Sequence, residues 1–318
     1  MIAAMTQIMD GTVSESDLSA FLVNMAERGE TVDEITGAAR VMREKASGIK
    51  APYGAVDCCG TGGDNSGTYN ISTAVALVAA ACGVPVAKHG NRAASSKSGA
   101  ADVLEILGVN LDAPKERLEE ALETLHFAFL MAPNHHQAMK HVVPVRKKLG
   151  RRTIFNLLGP LANPAGTRHQ LIGVFDKKWL MPMAEALRNL GTKTAWIVHG
   201  SDGMDEITVT GPTYAAILDH EGHIEEKTLT PEHFGLKPHD LEKLAGGSAD
   251  ENAVALRAVL EGQKCAYRDI TLANTAAVLV IHGSAEDLKD GTRKAAEAID
   301  QGLAMQTLKD YVSLSREG

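Results

Sequence analysis

Hydrophobic residues recur at helical spacing through the first fifty positions of the chain. Ser14 with Asp17 resembles a helix capping box, and Thr31 with Glu34 forms a second pair of the same kind. Each pair precedes an amphipathic stripe, and the two stripes are Leu18, Phe21, Leu22 and Met25, then Ile35, Ala38, Ala39 and Met42. The pattern predicts two helices, and the Lys-Ala-Pro-Tyr-Gly run at 50–54 predicts a linker or hinge after them.

From position 55 onward, short apolar runs alternate with helical patterns. The runs that predict strands lie at 84–88, 127–131, 171–175 and 195–199, while the run at 275–280 fits a strand or a buried helix. Helical spacing covers 72–82, 101–107, 114–125 and 180–190. This alternation predicts an α/β fold with a mainly parallel central sheet. Two runs at 213–218 and 223–228, joined by a His-Glu-Gly turn, predict an antiparallel hairpin at the sheet edge.

A glycine-rich turn links one apolar run to one predicted helix. Residues 57–64 read Asp-Cys-Cys-Gly-Thr-Gly-Gly-Asp and lead into Asn-Ile-Ser-Thr at 70–73. Glycine lets a ligand approach the main chain closely, and a helix start offers unpaired N–H groups to phosphate. The segment 88–99 repeats this setting with many hydrogen-bond donors. One glycine turn alone would be an ordinary connection, but the two loops together predict a ligand with more than one phosphate group.

Composition narrows the possible functions. The 318 residues are 44% hydrophobic and 23% charged, as in ordinary globular proteins, and the net charge of −8 argues against binding to nucleic acid or an anionic membrane. The longest apolar run, 74–82, is too short to cross a bilayer, and the first residues do not resemble a signal peptide. Cys58, Cys59, Cys82 and Cys265 lack metal or disulfide spacing, so we expect reduced thiols in the cytoplasm.

Two further groups of residues carry candidate chemistry. The adjacent carboxylates Asp205 and Glu206 follow a predicted strand and turn, so they either bind magnesium or form an acidic surface turn. The basic residues of 146–152 either form a solvated helix end or an RNA patch, or include an arginine that grips a carboxylate. The sequence has no Ser-His-Asp order and no HExxH motif, so no motif of these kinds indicates a hydrolase.

In their order along the chain, these motifs resemble the anthranilate phosphoribosyltransferase family. The matching blocks lie at 60–64, 70–73, 88–92, 144–146, 152–164 and 203–206, and they span nearly the whole chain. The resemblance implies a magnesium-dependent cytoplasmic glycosyltransferase of tryptophan biosynthesis. Such an enzyme transfers the phosphoribosyl group of 5-phosphoribosyl 1-pyrophosphate to the amino group of anthranilate and releases pyrophosphate.

The resemblance also implies a domain division. A small helical domain would comprise 1–50 plus about 131–166, and a larger α/β domain would comprise 53–130 plus about 167–318. The family forms homodimers through its helical region, which would place Leu18, Phe21 or Met25 near the contact. Family members usually carry one more helix before the helix that contains Ile8 and Met9, so we expect a truncated or naturally short amino end and a less secure dimer.

Site residues are carried over position by position. For phosphoribosyl pyrophosphate they are Gly60, Gly63, Asp64, Thr68, Asn70, Ile71, Ser72, Thr73, Lys88, Asn91, Arg92, Ser95, Ser96 and Ala100. For anthranilate they are Gly60, His89, Asn91, His136 and Arg146. Lys88 and Arg146 would be the catalytic pair, and Ser72, Asp205 and Glu206 would bind magnesium, as two ions with substrate present. The family often has serine at position 100, so Ala100 would offer only a backbone contact.

Two alternatives share the fold. Pyrimidine nucleoside phosphorylases carry a Lys-x-Ser-Gly-Arg-Gly type loop, where this chain has Lys-His-Gly-Asn-Arg at 88–92. A non-catalytic, nucleic-acid-binding branch would show a basic surface and eroded ligand motifs, whereas this chain is acidic and its motifs are intact. Both differences favour the transferase.

Overall fold

The computed structural model describes residues 1–93 and 97–317. It begins with three helices, α1 (Ile2–Met9), α2 (Glu15–Arg28) and α3 (Val32–Lys45). The Ser14 hydroxyl accepts a hydrogen bond from the Asp17 N–H at 3.1 Å, and Thr31 with Glu34 forms a reciprocal capping box. These caps begin α2 and α3 at the positions predicted from the sequence.

Seven strands form one sheet in the order β3-β2-β1-β4-β5-β6-β7. The strands are β1 (Val56–Gly60), β2 (Val86–Gly90), β3 (Phe127–Met131), β4 (His169–Gly173), β5 (Thr194–Gly200), β6 (Thr213–Leu218) and β7 (Ile224–Leu229). The pairings from β3 across to β5 are parallel, and β6 pairs antiparallel with both β5 and β7. The predicted parallel sheet and its edge hairpin are confirmed, with strand bounds that differ by up to two residues.

Eleven further helices lie between and after the strands in the described part of the chain. They are α4 (Ile71–Ala81), α5 (Ala100–Ile106), α6 (Lys115–Thr124), α7 (Ala132–His135), α8 (Val143–Leu149), α9 (Phe155–Leu158), α10 (Leu180–Asn189), α11 (Ala249–Leu260), α12 (Ala266–His282), α13 (Leu288–Asp300) and α14 (Leu303–Arg316). Short 3₁₀ turns lie at Gln137–His141, Lys177–Trp179, Pro231–Phe234 and Leu241–Leu244. The ambiguous run 275–280 belongs to α12. None of the helices described has the length and apolar content that a membrane crossing requires.

The buried residues form two hydrophobic clusters. The first surrounds β1, β2, β3, α4 and α12, where the alanine-rich sequence of α4 lets helix and sheet pack closely. The second joins α1, α2 and α3 with α8 and α9, and it continues onto β4, β5, β6 and α10. The early helices therefore share one core with the middle of the chain and with part of the sheet.

The sheet topology indicates where a ligand would bind. The chain leaves β1 for β2 on one side, and it later returns to place β4 on the other side of β1. Ligands of such sheets bind beyond the carboxyl ends of the strands at this point of reversal. The loops after β1, β2 and β5 all lie at these carboxyl ends, because the strands are parallel.

Candidate active site

The glycine loop after β1 packs around the carboxylate of Asp205. The Gly62 N–H donates to Asp205 Oδ2 at 2.7 Å, and a Cβ at Gly60 would overlap the same carboxylate. At the end of β4, a Cβ at Gly173 would overlap the backbone of Asp205. Gly62 and Gly63 have φ angles of 67° and 73°, which favour glycine. Two motifs that lie far apart in sequence thus meet at one point.

Three carboxylates converge at this point. The Asp205 N–H donates to Asp64 Oδ2 at 3.4 Å, and Glu206 accepts a hydrogen bond from the Ser72 N–H. Burial, and then the charge of Asp64, raises the pKa of Asp205, while burial and then the charge of Asp205 raise the pKa of Glu206. Hard oxygen donors with unfavourable mutual repulsion fit a divalent cation such as Mg²⁺. The predicted ligands Ser72, Asp205 and Glu206 lie together.

A second acidic group lies at the opposite end of the sheet. Among the residues described, Asp219, Glu221 and His223 form the one group of three His, Cys, Asp or Glu side chains whose ligand atoms lie within 4.8 Å of one another. They form the turn between β6 and β7, where the Asp219 carboxylate accepts from two backbone N–H groups of that turn. Their hydrogen bonds belong to the turn, and we assign them no ligand.

Lys88 is a buried cation beneath the glycine loop. It is 1% exposed, and its Nζ donates to the Cys58 carbonyl at 2.8 Å and to Ser72 Oγ at 3.0 Å. Its charge opposes the rise in the pKa of Glu206. A solvated lysine at the end of a strand is thereby excluded. The ammonium lies where negative charge collects, which suits a group that stabilises an anionic ligand.

The start of α4 is held by side chains from several elements. Asn70 Nδ2 donates to the Ser98 carbonyl at 3.3 Å, and Asn70 Oδ1 accepts from Asn252 Nδ2 at 2.9 Å. The Tyr267 hydroxyl donates to the Asn70 carbonyl at 3.0 Å. Of the neighbouring predicted donor-site residues, Ile71 and Thr73 are buried within α4, and the Thr68 hydroxyl lies 3.2 Å from Ser66 Oγ.

The loop after β2 is tied to α5. Arg92 forms two hydrogen bonds to Glu105 at 2.7 and 2.8 Å and one to Asp102 at 3.2 Å. Asp102 also accepts from the N–H groups of Ala93 and Gly99 and so holds both ends of the loop. Arg92 thus faces α5 in this structure, Asn91 is exposed, and Ala100 begins α5. Ser95 and Ser96 lie outside the described residues.

Two buried histidines face each other beside the glycine loop. The ring centroids of His89 and His136 are 5.2 Å apart, and burial lowers the pKa of His89 to about 3 and that of His136 to about 4. His89 Nδ1 lies 3.2 Å from the Gly159 carbonyl. A carbonyl only accepts, so Nδ1 carries the proton in the neutral His89 ring, and His89 Nε2 is an acceptor. The Nε2 atoms of His89 and His136 are both buried, and neither has a hydrogen-bond partner among the residues described.

The neutral state of His89 should make the free energy of unfolding depend on pH. In the unfolded chain the ring binds a proton below its ordinary pKa of 6.5, whereas the buried ring does so only near 3. Its contribution is therefore complete above pH 6.5 and is lost as pH falls. We expect wild type to lose about 2 kcal/mol more unfolding free energy than His89→Asn between pH 7 and pH 5, measured by urea denaturation. Equal losses would show that the ring is not held neutral.

Arg146 is half-buried, whereas the other basic residues of 146–152 are exposed. It is half-buried on α8, its Cζ lies 5.6 Å from the Phe155 ring centroid, and burial lowers its pKa. Lys148 and Arg151 form ion pairs with Glu15 and Glu27, whereas Arg146 has no carboxylate partner among residues 1–93 and 97–317. A half-buried guanidinium without an anion fits a carboxylate ligand, and it does not fit a solvated basic patch.

Two contacts at the site could not be found from the sequence. Arg152 donates to the Gly63 carbonyl, and its Cζ lies 4.0 Å from the Phe175 ring centroid. Asp57 is fully buried in β1, where it accepts from the His89 N–H at 3.2 Å, and burial raises its pKa. The basic run 146–152 and the Asp-Cys-Cys run stand out in the sequence at these positions. No local pattern, however, predicts which residues Arg152 and Asp57 contact.

Comparison with known proteins identifies the family. Residues 52–305 match the model of the α/β domain of the glycosyl transferase family, and residues 1–46 match that of its helical bundle domain. Anthranilate phosphoribosyltransferase from Rhodospirillum rubrum is 56% identical over 311 residues, which cover 98% of this chain and 89% of the relative. The enzyme of the same name from Azospirillum brasilense is 56% identical over 308 residues, covering 97% of this chain and 86% of that relative.

Solved structures agree with these relatives. The crystal structure of anthranilate phosphoribosyltransferase from Thermus thermophilus has a TM-score of 0.94 at 46% identity, covering 99% of this chain and 94% of that one. The Saccharomyces cerevisiae enzyme in complex with PRPP and Mg has a TM-score of 0.87 at 30% identity, covering 95% and 85%. On the evidence of its fold, its site motifs and these matches, the chain belongs to the anthranilate phosphoribosyltransferase family.

Proposed function

We propose that the protein transfers the phosphoribosyl group of 5-phosphoribosyl 1-pyrophosphate to the amino nitrogen of anthranilate, giving N-(5-phosphoribosyl)anthranilate and pyrophosphate. The observation that carries this proposal is the buried Lys88 ammonium, which contacts Ser72 beneath the glycine loop and its carboxylates, with the His89–His136 pair beside it. We assign the glycine loop, Lys88 and the carboxylates to a donor half, and we assign His89, His136 and the half-buried Arg146 to an acceptor half. The yeast relative was solved with PRPP and Mg, and also with 4-fluoroanthranilate.

The donor half would stabilise the departing pyrophosphate. N–H groups of the glycine loop and of the start of α4 would bind phosphate oxygens, and the buried ammonium of Lys88 would offset the charge that develops on the leaving group. The residues that we assign to this half are Gly60, Gly63, Asp64, Thr68, Asn70, Ile71, Ser72, Thr73, Lys88, Asn91, Arg92, Ser95, Ser96 and Ala100. Because hydrogen bonds already hold the glycine loop, Lys88 and the start of α4, these parts need little reorganisation as the bond breaks.

Magnesium is the metal that this site would hold. Ser72, Asp205 and Glu206 would bind it, and we propose two ions when substrate is present. When bound, the metal supplies positive charge that neutralises the pyrophosphate. The convergent, partly desolvated carboxylates support this assignment, because they repel one another without a cation.

The acceptor half would position anthranilate. The guanidinium of Arg146 matches a carboxylate in geometry and charge, and the unpartnered Nε2 of His89 is an acceptor suited to an N–H group of an aromatic amine, with His136 beside it. Asn91 and Gly60 complete the set that we assign. An aromatic amine is neutral near pH 7 and needs no strong base before it attacks, so orientation toward the anomeric carbon is the main requirement.

We further propose that 1–50 and about 131–166 form a helical domain, and that 53–130 and about 167–318 form the α/β domain. Contacts between the two pieces of the helical domain support this division. Arg43 Nε donates to the Leu161 carbonyl at 2.6 Å, and the Ser47 N–H donates to the His135 carbonyl at 2.8 Å. We also propose that the two domains close over the substrates, with 50–54 as one hinge.

A homodimer is the assembly that we propose, with the contact on the helical domain. Leu18 and Met25 are 3% and 4% exposed within the chain's own core, so they offer little contact surface, whereas the half-buried Phe21 stays a predicted contact residue. Ile2 and Val143 are 49% and 52% exposed, and they are the large apolar side chains that a partner would cover. We expect sedimentation at micromolar concentration to give a dimer, and Val143→Glu to shift it toward monomer. A wild-type monomer would contradict this assembly.

The four cysteines are free thiols, which supports the cytoplasm as the compartment.

A single assay tests the function. The fluorescence of anthranilate should fall when 5-phosphoribosyl 1-pyrophosphate and Mg²⁺ are added together, and it should stay constant when either is omitted. Phosphorolysis of a pyrimidine nucleoside instead would support the phosphorylase alternative, and a salt-dependent gel shift with DNA or RNA would support the nucleic-acid-binding alternative.

A further inference from the structure

A cavity of about 590 Å³ lies beside the glycine loop, outside the site described above. The end of α2, the segment before α9 and the start of α10 enclose it. Its volume is that of a site for a small organic molecule. No residue assigned to the donor, the acceptor or the metal lines this cavity, so its chemistry is separate from theirs.

Two charged groups in this cavity form no ion pair with a described residue. Arg151 is paired with Glu27 at 3.1 Å, and Lys178 lies 3.5 Å from Asp176. Glu30 and Arg152 also line the cavity, and within 1–93 and 97–317 neither forms an ion pair. Burial raises the pKa of the Glu30 carboxyl, and the charges of Lys178 and Arg28, neither of which forms an ion pair with it, offset this rise only in part. The cavity therefore offers one unpaired acid and one unpaired base.

The remaining walls are apolar. Leu157 and Trp179 are buried, and Phe175 and Pro182 are half-buried, with the Arg152 guanidinium over the Phe175 ring. Such walls suit an aliphatic or aromatic group, while the two unpaired charges suit groups of opposite sign on the same molecule. A free α-amino acid has this combination in one compact body.

We propose that this cavity is a second small-molecule site, which binds a zwitterionic α-amino acid with an apolar side chain. Its ammonium pairs with Glu30, its carboxylate pairs with Arg152, and its side chain packs between Leu157, Phe175 and Trp179. The guanidinium fork of Arg152 matches a carboxylate, and a carboxylate is a stronger acceptor than the Gly63 carbonyl that Arg152 now bonds.

Occupancy of the cavity is coupled to the glycine loop through Arg152. A carboxylate in the cavity draws the guanidinium from the Gly63 carbonyl and removes a support of the loop that follows β1. The donor then binds more weakly, and by linkage the donor weakens the amino acid by the same factor. This coupling rests on the proposed function, because it takes the glycine loop as the donor site. The binding of the amino acid does not.

Calorimetry on the full chain tests the binding. The probes are L-phenylalanine, 3-phenylpropanoate, which lacks the ammonium, and phenethylamine, which lacks the carboxylate. We expect L-phenylalanine to bind at least about tenfold more tightly than either analogue. Glu30→Gln should weaken L-phenylalanine by a similar factor and leave turnover unchanged. No binding of L-phenylalanine at millimolar concentration, equal binding of an analogue, or no effect of Glu30→Gln overturns the proposal.

Donor titration tests the coupling. Saturating L-phenylalanine should raise the Kd for 5-phosphoribosyl 1-pyrophosphate about fivefold or more, and the donor should weaken L-phenylalanine equally. In Arg152→Lys the effect should vanish, because an ammonium lacks the planar fork that contacts both partners. An unchanged donor Kd in wild type overturns the coupling. If the donor itself does not bind, the proposed function fails, while the Glu30→Gln comparison still decides the cavity.

Discussion

The double variant Asp205→Asn with Glu206→Gln is expected to lose turnover and to gain stability. Turnover requires the metal that these carboxylates would hold, because the pyrophosphate otherwise faces like charges. Burial and mutual repulsion raise the pKa of both carboxyls in the folded chain. Each carboxyl therefore ionises less readily in the folded chain, and it opposes folding as the pH rises above its pKa in the unfolded chain. Neutral amides remove this opposition. At pH 8 without metal, the thermal midpoint of the variant should therefore exceed that of wild type, with an unchanged circular dichroism spectrum.

The edge hairpin supplies a matched control. Asp219→Asn with Glu221→Gln removes two carboxylates of the same kind from an exposed turn at the far end of the sheet. Its turnover and metal requirement should equal those of wild type. Activity of wild type in excess EDTA, or full activity of the variant at 205 and 206, would rule out the metal assignment.

Arg146→Ala should raise the KM for anthranilate by about tenfold to more than a hundredfold, since a charge-assisted contact to a carboxylate contributes about 1.5–3 kcal/mol. Donor affinity should stay nearly unchanged, because we assign the half-buried Arg146, which contacts Phe155, to the acceptor half alone. Steady-state kinetics would report the anthranilate KM, and calorimetry would report the donor Kd. The paired surface residue Arg151 gives a control, because Arg151→Ala should have near-normal kinetics.

Lys88→Ala should have the opposite signature. Its ammonium bonds Ser72 and lies near Glu206, so its loss acts first on the donor and on kcat. Removing the cation also leaves buried carboxylates without compensation, and stability should fall. Identical kinetic changes in Lys88→Ala and Arg146→Ala would refute the division of the site into donor and acceptor halves.

Local patterns were sufficient for much of the fold. Alternating apolar runs located β2 to β5, and the His-Glu-Gly turn located the hairpin β6–β7. The run 275–280 stayed ambiguous because a helix that is buried on all sides has no polar face, so its spacing carries no period. α11 was missed although Ser248 and Glu251 form a capping box at its start. α13 and α14 were missed as well.

The site was less accessible to sequence reasoning. The family resemblance named Asp205 and Gly60 separately, but their contact depends on β4 lying beside β1, which no local pattern encodes. The resemblance placed Arg92 at the donor, whereas here it pairs with Glu105 and Asp102, so its contact with the donor stays a prediction. Arg152 shows the same limit, since an arginine that stacks on Phe175 is indistinguishable in sequence from one that faces solvent.

The close fit of Gly173 against the backbone of Asp205 has a consequence for natural variation. No ligand is assigned to position 173, yet any side chain there would push the loop that carries Asp205 away from the sheet. Gly60, the register partner of Gly173 on β1, leaves room for the carboxylate of the same residue. The three positions therefore form one steric unit, and a side chain at 60 or 173 would displace the proposed metal ligand Asp205 although residue 205 is unchanged. Substitutions at 173 should be tolerated as rarely as substitutions at 205 itself.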